Sequence, residues 1–419
     1  MLIEFRVENH RSLRREQALT FETGFHGDQG DTRPRQVPGH NGFLLPVIVI
    51  YGPNASGKSN VLSALSFMRE SVLLSQRRWE PEGGIPRTSF AWSGMKSETS
   101  LYEVTFVHEG AKYQYGFSVS DKVVEEEWLY AWPNGRQQMW FTRERDDIHF
   151  GDNLKGPNEA VREITRTNAL FLSAAAQCGH SQLTSLFSWF RNVFAFNVET
   201  RSMGPFLPGV PAGLFFESED RNFFSSDELN DSMVDRIRLL LRSADIGIVD
   251  IKRVTTDREM NGRIYRRRRI LFQHSSADGD SWLDFEDESH GTKTIFRMAP
   301  SILGALETGG LLIVDELEAN LHPLVGLCII RLFNSPTSNP RNAQLLFTTH
   351  DTNLLGTTLG DPPLRRDQVW FTEKDKEGAT TLYPLTDFHP RKSENLERGY
   401  LQGRYGAIPF LGNFGWESE

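Results

Sequence analysis

The spacing of apolar residues changes several times along the chain, and each change marks an element. Residues 2–8 alternate apolar and polar, a turn follows at Asn9-His10-Arg11-Ser12-Leu13, and residues 17–21 alternate again, which predicts two strands. Residues 25–43, rich in Gly, Asp and Pro, read as a loop. An unbroken apolar run over 44–50 leads into a glycine-rich stretch. Val61, Leu62, Leu65, Met68, Val72 and Leu73 then recur at helical spacing and predict a helix from 58 to about 76. Between 85 and 150 the period returns to two, in 102–107, 112–117, 123–132 and 138–143, as in an antiparallel sheet.

Residues 156–195 read as helical and 199–226 as a loop rich in Pro, Gly and Phe. Ser226-Asp227-Glu228 marks a helix start, with the helix running to about Ala244. Short strands return at 248–254, 263–274 and 282–285. The last part alternates strand (Leu311–Val314), helix (about 323–333), strand (Gln344–Thr348) and a weaker strand near 368–372, which implies a parallel sheet. The pattern divides the chain at 1–84, 85–155, 156–247, 248–387 and 388–419. It shows no internal repeat and no sustained heptads, so no long coiled-coil arm is expected.

Composition narrows the class. At 419 residues and 38% hydrophobic the chain can bury a large core, and no apolar run is long enough to span a bilayer. The first residues lack the shape of a signal peptide, so a cytoplasmic protein is expected. The two cysteines, Cys178 and Cys328, form no ligand pattern and read as buried small hydrophobes of a reduced protein rather than as a disulfide or metal site. A net charge of −9 means that any contact with nucleic acid must come from a local basic patch.

Candidate chemistry begins at Gly52-Pro53-Asn54-Ala55-Ser56-Gly57-Lys58-Ser59, which fits G-x-x-x-x-G-K-[ST] between a strand and a helix. The two glycines let successive backbone N–H groups converge on an anion, and the positive end of the next helix adds to that field. Lys58 reaches the β/γ-phosphates in this pattern, and Ser59 offers its hydroxyl to Mg²⁺. Leu311–Val314 followed by Asp315-Glu316 delivers two carboxylates to the C-terminal edge of a buried strand: Asp315 for the Mg²⁺ shell, Glu316 to polarise water. Alone, this pair is also how an ordinary strand leaves a core. His350 ends the next apolar strand and belongs on the same edge, where it either donates to a γ-phosphate or serves the fold. Ser289-His290-Gly291-Thr292 precedes a helix, either as a simple N-cap or as a second phosphate-binding surface.

The order of these elements resembles the ABC-type ATPase heads. Within that class the chain is similar to bacterial phage-defence relatives, the AbiLi/RloA-like family related to the ATPases of PARIS, Septu and OLD systems, and more distantly to RecF and the SMC heads. The resemblance rests on Gly52 to Asn60, on Glu288-Ser289-His290-Gly291-Thr292, on Asp315-Glu316-Leu317-Glu318-Ala319-Asn320-Leu321-His322-Pro323, on Thr348-Thr349-His350-Asp351, and on the tail from Asn395 to Pro409. It implies an α/β P-loop NTPase with a mixed sheet, an antiparallel β lobe, and a helical lobe inserted between the Walker A and signature motifs. It also implies ATP and Mg²⁺ as ligands and a homodimer or higher homo-oligomer in which Ser289 and Gly291 of one copy close over the nucleotide held by Lys58 and Ser59 of the other. Glu316 is then the catalytic base, His350 the γ-phosphate sensor, and Asn320-Leu321-His322 the inter-subunit loop. Asn9-His10-Arg11-Ser12 takes the place of the family's Asn-Phe-Arg-Ser turn, with Arg11 as a phosphate contact and His10 where the family has an aromatic ring. Gln177 is the candidate for the glutamine loop on Mg²⁺; its other reading is a helix-surface residue.

The implied function is ATP binding and hydrolysis that switches a separate effector, such as a nuclease, in anti-phage defence. Residues after His350 carry no Glu plus Asp-x-Asp arrangement of a fused Toprim nuclease. The alternative is a RecF- or SMC-like protein whose ATP cycle gates DNA binding or repair. Tyr265-Arg266-Arg267-Arg268-Arg269 fits either a solvated edge strand or a nucleic-acid contact. The tail, 388–410, with Arg391, Lys392, Arg398, Arg404, Tyr400 and Tyr405, is expected to dock on the head or on a partner rather than to stack on nucleic acid.

Overall fold

Two kinds of apolar pattern build two different sheets. The computed structural model describes residues 1–24, 30–199, 231–243, 247–260, 263–275, 281–358, 360, 362–391 and 394–409. The first half of the chain supplies β1 (Leu2–Glu8), β2 (Gln17–Thr20), the two-residue strands β3 (Arg35–Gln36) and β4 (Phe43–Leu44), β5 (Val47–Tyr51), α1 (Lys58–Arg78), β6 (Ser100–His108), β7 (Ala111–Val119), β8 (Val124–Trp132), β9 (Gln138–Glu144) and β10 (Asp147–Phe150). The alternating strands join in one antiparallel sheet in the order β10-β9-β8-β7-β6-β1-β2. A boundary at 84/85 therefore cuts through this sheet, because β1 pairs with β6, Phe5 opposite Val104.

Three short helices follow: α2 (Asn158–Ile164), α3 (Phe171–Gln177) and α4 (Ser181–Arg191). The expected helical run stops short of 195, because β11 (Val193–Phe196) pairs in parallel with the strand Leu311–Val314. A four-residue apolar run has no period of its own, and the neighbouring strand decides it. The expected helix start at Ser226 lies outside the described residues; α5 spans Asp231–Ser243. Next come β12 (Ile248–Met260), β13 (Arg263–His274), β14 (Ser281–Asp284), α6 (His290–Thr308), β15 (Leu311–Val314), α7 (Pro323–Asn334), β16 (Gln344–Thr348), β17 (Val369–Lys374), β18 (Thr380–Pro384) and α8 (Leu396–Leu401). Gly309 closes α6 in the left-handed conformation at φ +68°, where a glycine carries no Cβ penalty.

The second sheet has the order β11-β15-β16-β5-β17-β18, parallel throughout except for the β17–β18 hairpin. Both of its faces are covered, which is why β5, β15 and β16 are apolar without alternation. Ile48, Ile50, Ile313 and Leu346 pack with α1 and the antiparallel sheet. Val47, Val49, Tyr51, Leu312, Val314 and Phe347 pack on the opposite side with α6, α7 and the tail. Helix α1 is thus enclosed between two sheets, and even Ser66, Arg69, Glu70 and Ser71 within it are buried. The tail lies on the head: Tyr400 stacks on Phe371 with ring centroids 5.5 Å apart, and the Tyr383 hydroxyl donates to the Tyr405 carbonyl at 3.0 Å.

Both cysteines are exposed, against expectation. Cys178 caps the C-terminal end of α3, and Cys328 lies on the outer side of α7. No described helix is long and apolar enough to cross a membrane.

Candidate functional site

Parallel strands all present their carboxyl ends on one edge, so the residues after β5, β15 and β16 meet there. After β5 the chain turns through Gly52 to Gly57 into α1. Gly57 has φ +108°, and no side chain caps the helix; the Asn60 and Val61 N–H groups donate to the Gly57 carbonyl, while those of Lys58 and Ser59 have no partner among the described residues, as at a helix start that can take an anion. A Cβ on Gly57 would collide with Thr380 Oγ1 and lie 2.8 Å from Ser12 Oγ; one on Gly52 would lie 2.5 Å from Thr372 Oγ1. Those hydroxyls form a lattice behind the loop. Thr380 Oγ1 donates to the Ser56 carbonyl at 2.7 Å, Ser56 Oγ and Thr372 Oγ1 are 2.6 Å apart, and Asn60 Nδ2 donates to Ser12 Oγ at 2.6 Å.

Lys58 is buried and folds back over the turn, its ammonium donating to the carbonyls of Gly52 at 2.9 Å and Pro53 at 3.1 Å. Burial lowers its pKa, and the carboxylates Asp315, Glu316 and Glu318 oppose that shift. Buried Thr348 joins β16 to the end of β15: its hydroxyl donates to Asp315 Oδ1 at 2.6 Å and accepts the Glu316 N–H at 2.8 Å. Glu316 has a backbone φ of +53°, an uncommon conformation for a residue with a long side chain. His350 stands at the rim of the same edge. Crowding lowers its pKa, Lys58 adds to the lowering, and Glu318, Glu316 and Asp315 oppose it, so the imidazole is neutral near pH 7. Lys58, Asp315, Glu316 and His350 thus come together as the sequence predicts.

No hydrogen bond or ion pair among the described residues links Ser289 or Gly291 to these four. Ser289 is exposed and caps its own helix, accepting the Thr292 N–H at 3.1 Å. A Cβ on Gly291 would lie 3.0 Å from the Asn320 carbonyl, so the start of α6 abuts the loop after β15. His322 caps α7 through Nδ1. The Arg11 guanidinium pairs with Glu199 at 2.8 Å. His10 is buried between Tyr102 and Ser63 at 2.9 and 3.0 Å, a core position with no face for stacking on a base. Gln177 is not brought to the site. It is exposed, and the start of its helix is tied to the far end of α1: Leu170 N–H donates to Ser75 Oγ, and Ser173 Oγ accepts from the Gln76 N–H. That end of α1 is roughly 24 Å along the helix from Ser59, which favours the helix-surface reading.

Residues 47–356, which span every element of this edge from β5 to His350, match the family described as "AAA domain, putative AbiEii toxin, Type IV TA system". The chain belongs to this family. Among solved structures the chain is similar to the SMC head domain from Thermotoga maritima, at 15% identity and a TM-score of 0.39, over 91% of this chain and 98% of that one. No curated protein matches it.

The donor set of the AAA domain suits a nucleotide with Mg²⁺. A serine hydroxyl at Ser59 and one carboxylate at Asp315 are the few hard oxygen ligands a Mg²⁺ needs when it keeps waters and phosphate oxygens. Several residues of this edge carry no signal in the sequence. Thr348 is one apolar-strand residue of the run Thr348-Thr349-His350-Asp351. Thr372 and Thr380 sit on a hairpin of which only one strand was expected, and Ser12 belongs to the N-terminal turn. Isolated hydroxyls on strands carry no periodic signal, and only the pairing of β17 with β5 and β18 brings them behind the loop.

Proposed function

We propose that the AAA domain binds ATP·Mg²⁺ at Gly52–Ser59 and hydrolyses it in a homodimer in which each copy completes the other's site. The observation that carries this reading is the split of the phosphate ligands. Lys58, Asp315, Glu316 and His350 share one sheet edge, while the exposed helix start at Ser289 and Gly291 has its hydrogen bonds within its own first turn. A second copy supplies the missing anion-binding helix end. The amides of α1 and Lys58 hold the β- and γ-phosphates, with the lysine leaving the carbonyls of Gly52 and Pro53. Ser59 and Asp315 would hold Mg²⁺, which would supply charge neutralisation on the phosphate oxygens. Glu316 takes a proton from water as the water oxygen attacks the γ-phosphorus, and ADP leaves as the β–γ bridge breaks. Neutral His350 donates one hydrogen bond to the γ-phosphate.

In this reading closure with ATP and reopening after hydrolysis control a separate effector, such as a nuclease, in anti-phage defence; the family description, an AAA domain of a type IV toxin–antitoxin system, supports the nucleotide-dependent part. A second reading, ATP-gated DNA binding, is favoured by the basic run on β13. That strand pairs with β12 along its whole length, while β14 covers only Leu271 to His274. The deciding measurement is ATP turnover of the wild type and of Glu316→Gln. Loss of the base should slow hydrolysis about 10²–10⁴-fold, roughly 3–5 kcal/mol of barrier, with ATP binding intact. Equal turnover of the two proteins would overturn the assignment.

A further inference from the structure

Glu318 lies beyond the two carboxylates that end β15, yet it is built into the same edge. Its Oε1 accepts the backbone N–H of His350 at 2.6 Å. Its Oε2 is buried without a hydrogen-bond partner, so the His350 N–H is the hydrogen bond that this carboxylate makes among the described residues. Glu318 is the carboxylate that acts on Lys58, on His350 and on Tyr51 alike. The loop that carries it is fixed at both ends. Leu317 N–H donates to the Thr348 carbonyl at 3.1 Å, and Leu321 N–H donates to the Glu318 carbonyl at 2.9 Å. Two residues on, Asn320 turns through φ +61° and places its carbonyl against Gly291.

We propose that Glu318 is a positioning residue: its carboxylate holds the main chain of His350, and so the imidazole, at the distance from the phosphate that hydrolysis needs, and it couples that distance to the loop facing the start of α6. This rests on the ATPase reading above. A hydrogen bond from a main-chain N–H to a carboxylate is charge-assisted and directional. Strand β16 ends at Thr348; beyond it the Ile50 carbonyl accepts the Thr349 N–H at 3.3 Å and Tyr51 donates to the Asp351 carbonyl at 2.9 Å, and between these two the main-chain N–H of His350 is held by Glu318. The segment from Thr349 to Asp351 therefore takes its position from what it is bonded to.

Two substitutions separate the acceptor from the charge. Glu318→Gln keeps an acceptor oxygen at full length and removes the charge. Glu318→Asp keeps the charge and withdraws the oxygens by about 1.5 Å, one carbon–carbon bond. The Gln variant should hydrolyse ATP within about threefold of wild type, and the Asp variant should lose at least about tenfold in kcat with ATP affinity unchanged; His350→Ala on top of Glu318→Asp should add little, since the two act as a unit. A Gln variant as impaired as Asp, an Asp variant matching wild type, or losses that multiply in the double variant would overturn the proposal. A second readout does not depend on hydrolysis. In the nucleotide-free protein, amide exchange in the peptide containing His350 should speed up at least about tenfold in Glu318→Asp and Glu318→Ala and stay slow in Glu318→Gln. Unchanged exchange in Asp and Ala overturns the positioning role even if the wild type turns over ATP. A wild type without turnover, but with the expected exchange pattern, faults the ATPase reading and leaves the anchor standing.

Discussion

Tyr51 donates its phenolic hydroxyl to the carbonyl of Asp351 at 2.9 Å, joining the residue ahead of the phosphate loop to the residue behind His350. The ring is fully buried, and burial with nearby acidic groups raises its pKa well above the usual tyrosine value, so the hydroxyl is a permanent donor. Tyr400 of the tail packs on the same ring at 5.6 Å, and the Thr352 hydroxyl donates to Glu397, at the start of α8, at 3.4 Å. The tail therefore supports both the loop and the His350 segment from beneath the sheet edge.

Removing that hydroxyl should be felt in stability. Tyr51→Phe keeps the ring and leaves the Asp351 carbonyl without its donor, a change worth about 1–3 kcal/mol. The expected result is a lower urea midpoint with an unchanged slope. An unshifted midpoint would mean that the bond contributes nothing.

His10 predicts an acid limb in the stability curve. Burial, with Arg11 adding to it, lowers its pKa to about 3, against ~6.5 in the unfolded chain. Between those values the unfolded state binds the extra proton. The contribution of neutral His10 is therefore complete above about pH 6.5 and is lost progressively as pH falls toward 3, at up to about 1.4 kcal/mol per pH unit. His10→Gln keeps polar atoms near Tyr102 and Ser63 without a titrating ring, so its unfolding free energy should fall less steeply from about pH 6 to about pH 4. Parallel curves for the two proteins would exclude His10 as the source.

What the sequence made legible follows from what has a period or a fixed spacing. The parallel strands were readable because burial on both faces forces the unbroken runs at 47–51, 311–314 and 344–348. The loop was readable because close approach of Thr372 and Thr380 leaves room only for glycine at 52 and 57. Strand β11 was not, since four apolar residues fit a helix end as well as a sheet edge. Nor was the exposure of Cys178 and Cys328, which depends on which side of a short helix faces out. Glu318 was visible as a letter in a motif, but its bond to His350 spans 32 residues and depends on β15 and β16 lying side by side.

The basic run on β13 separates the two functional readings. If the ribbon binds duplex DNA, neutralising Arg267 and Arg269 together should weaken ATP-dependent binding and reduce the slope of log K against log salt by about 2, one unit for each phosphate no longer neutralised. Fluorescence anisotropy across a salt series measures both. Binding that needs no ATP, or a slope that the double variant leaves unchanged, would remove this surface from the DNA reading and leave the charge as protection of a strand edge.

The composite site makes a prediction that no single-copy site shares. Lys58→Ala removes the lysine on the phosphates, and Ser289→Arg places a long cationic side chain where one copy would meet its partner's nucleotide. Each variant alone should be inactive, because every site in each homodimer carries the lesion. In a mixed dimer one site carries both lesions and the other carries none, so an equimolar mixture should recover activity. If copies pair at random, half the dimers are mixed and each has one intact site of two. Turnover should then reach roughly a quarter of the wild-type value at equal total protein, as expected for closed two-fold pairing. The mixture should also show a nucleotide-dependent rise in mass on size-exclusion chromatography with light scattering. Activity that stays at zero on mixing, with both variants folded and dimeric, would show that one copy holds every phosphate ligand it uses.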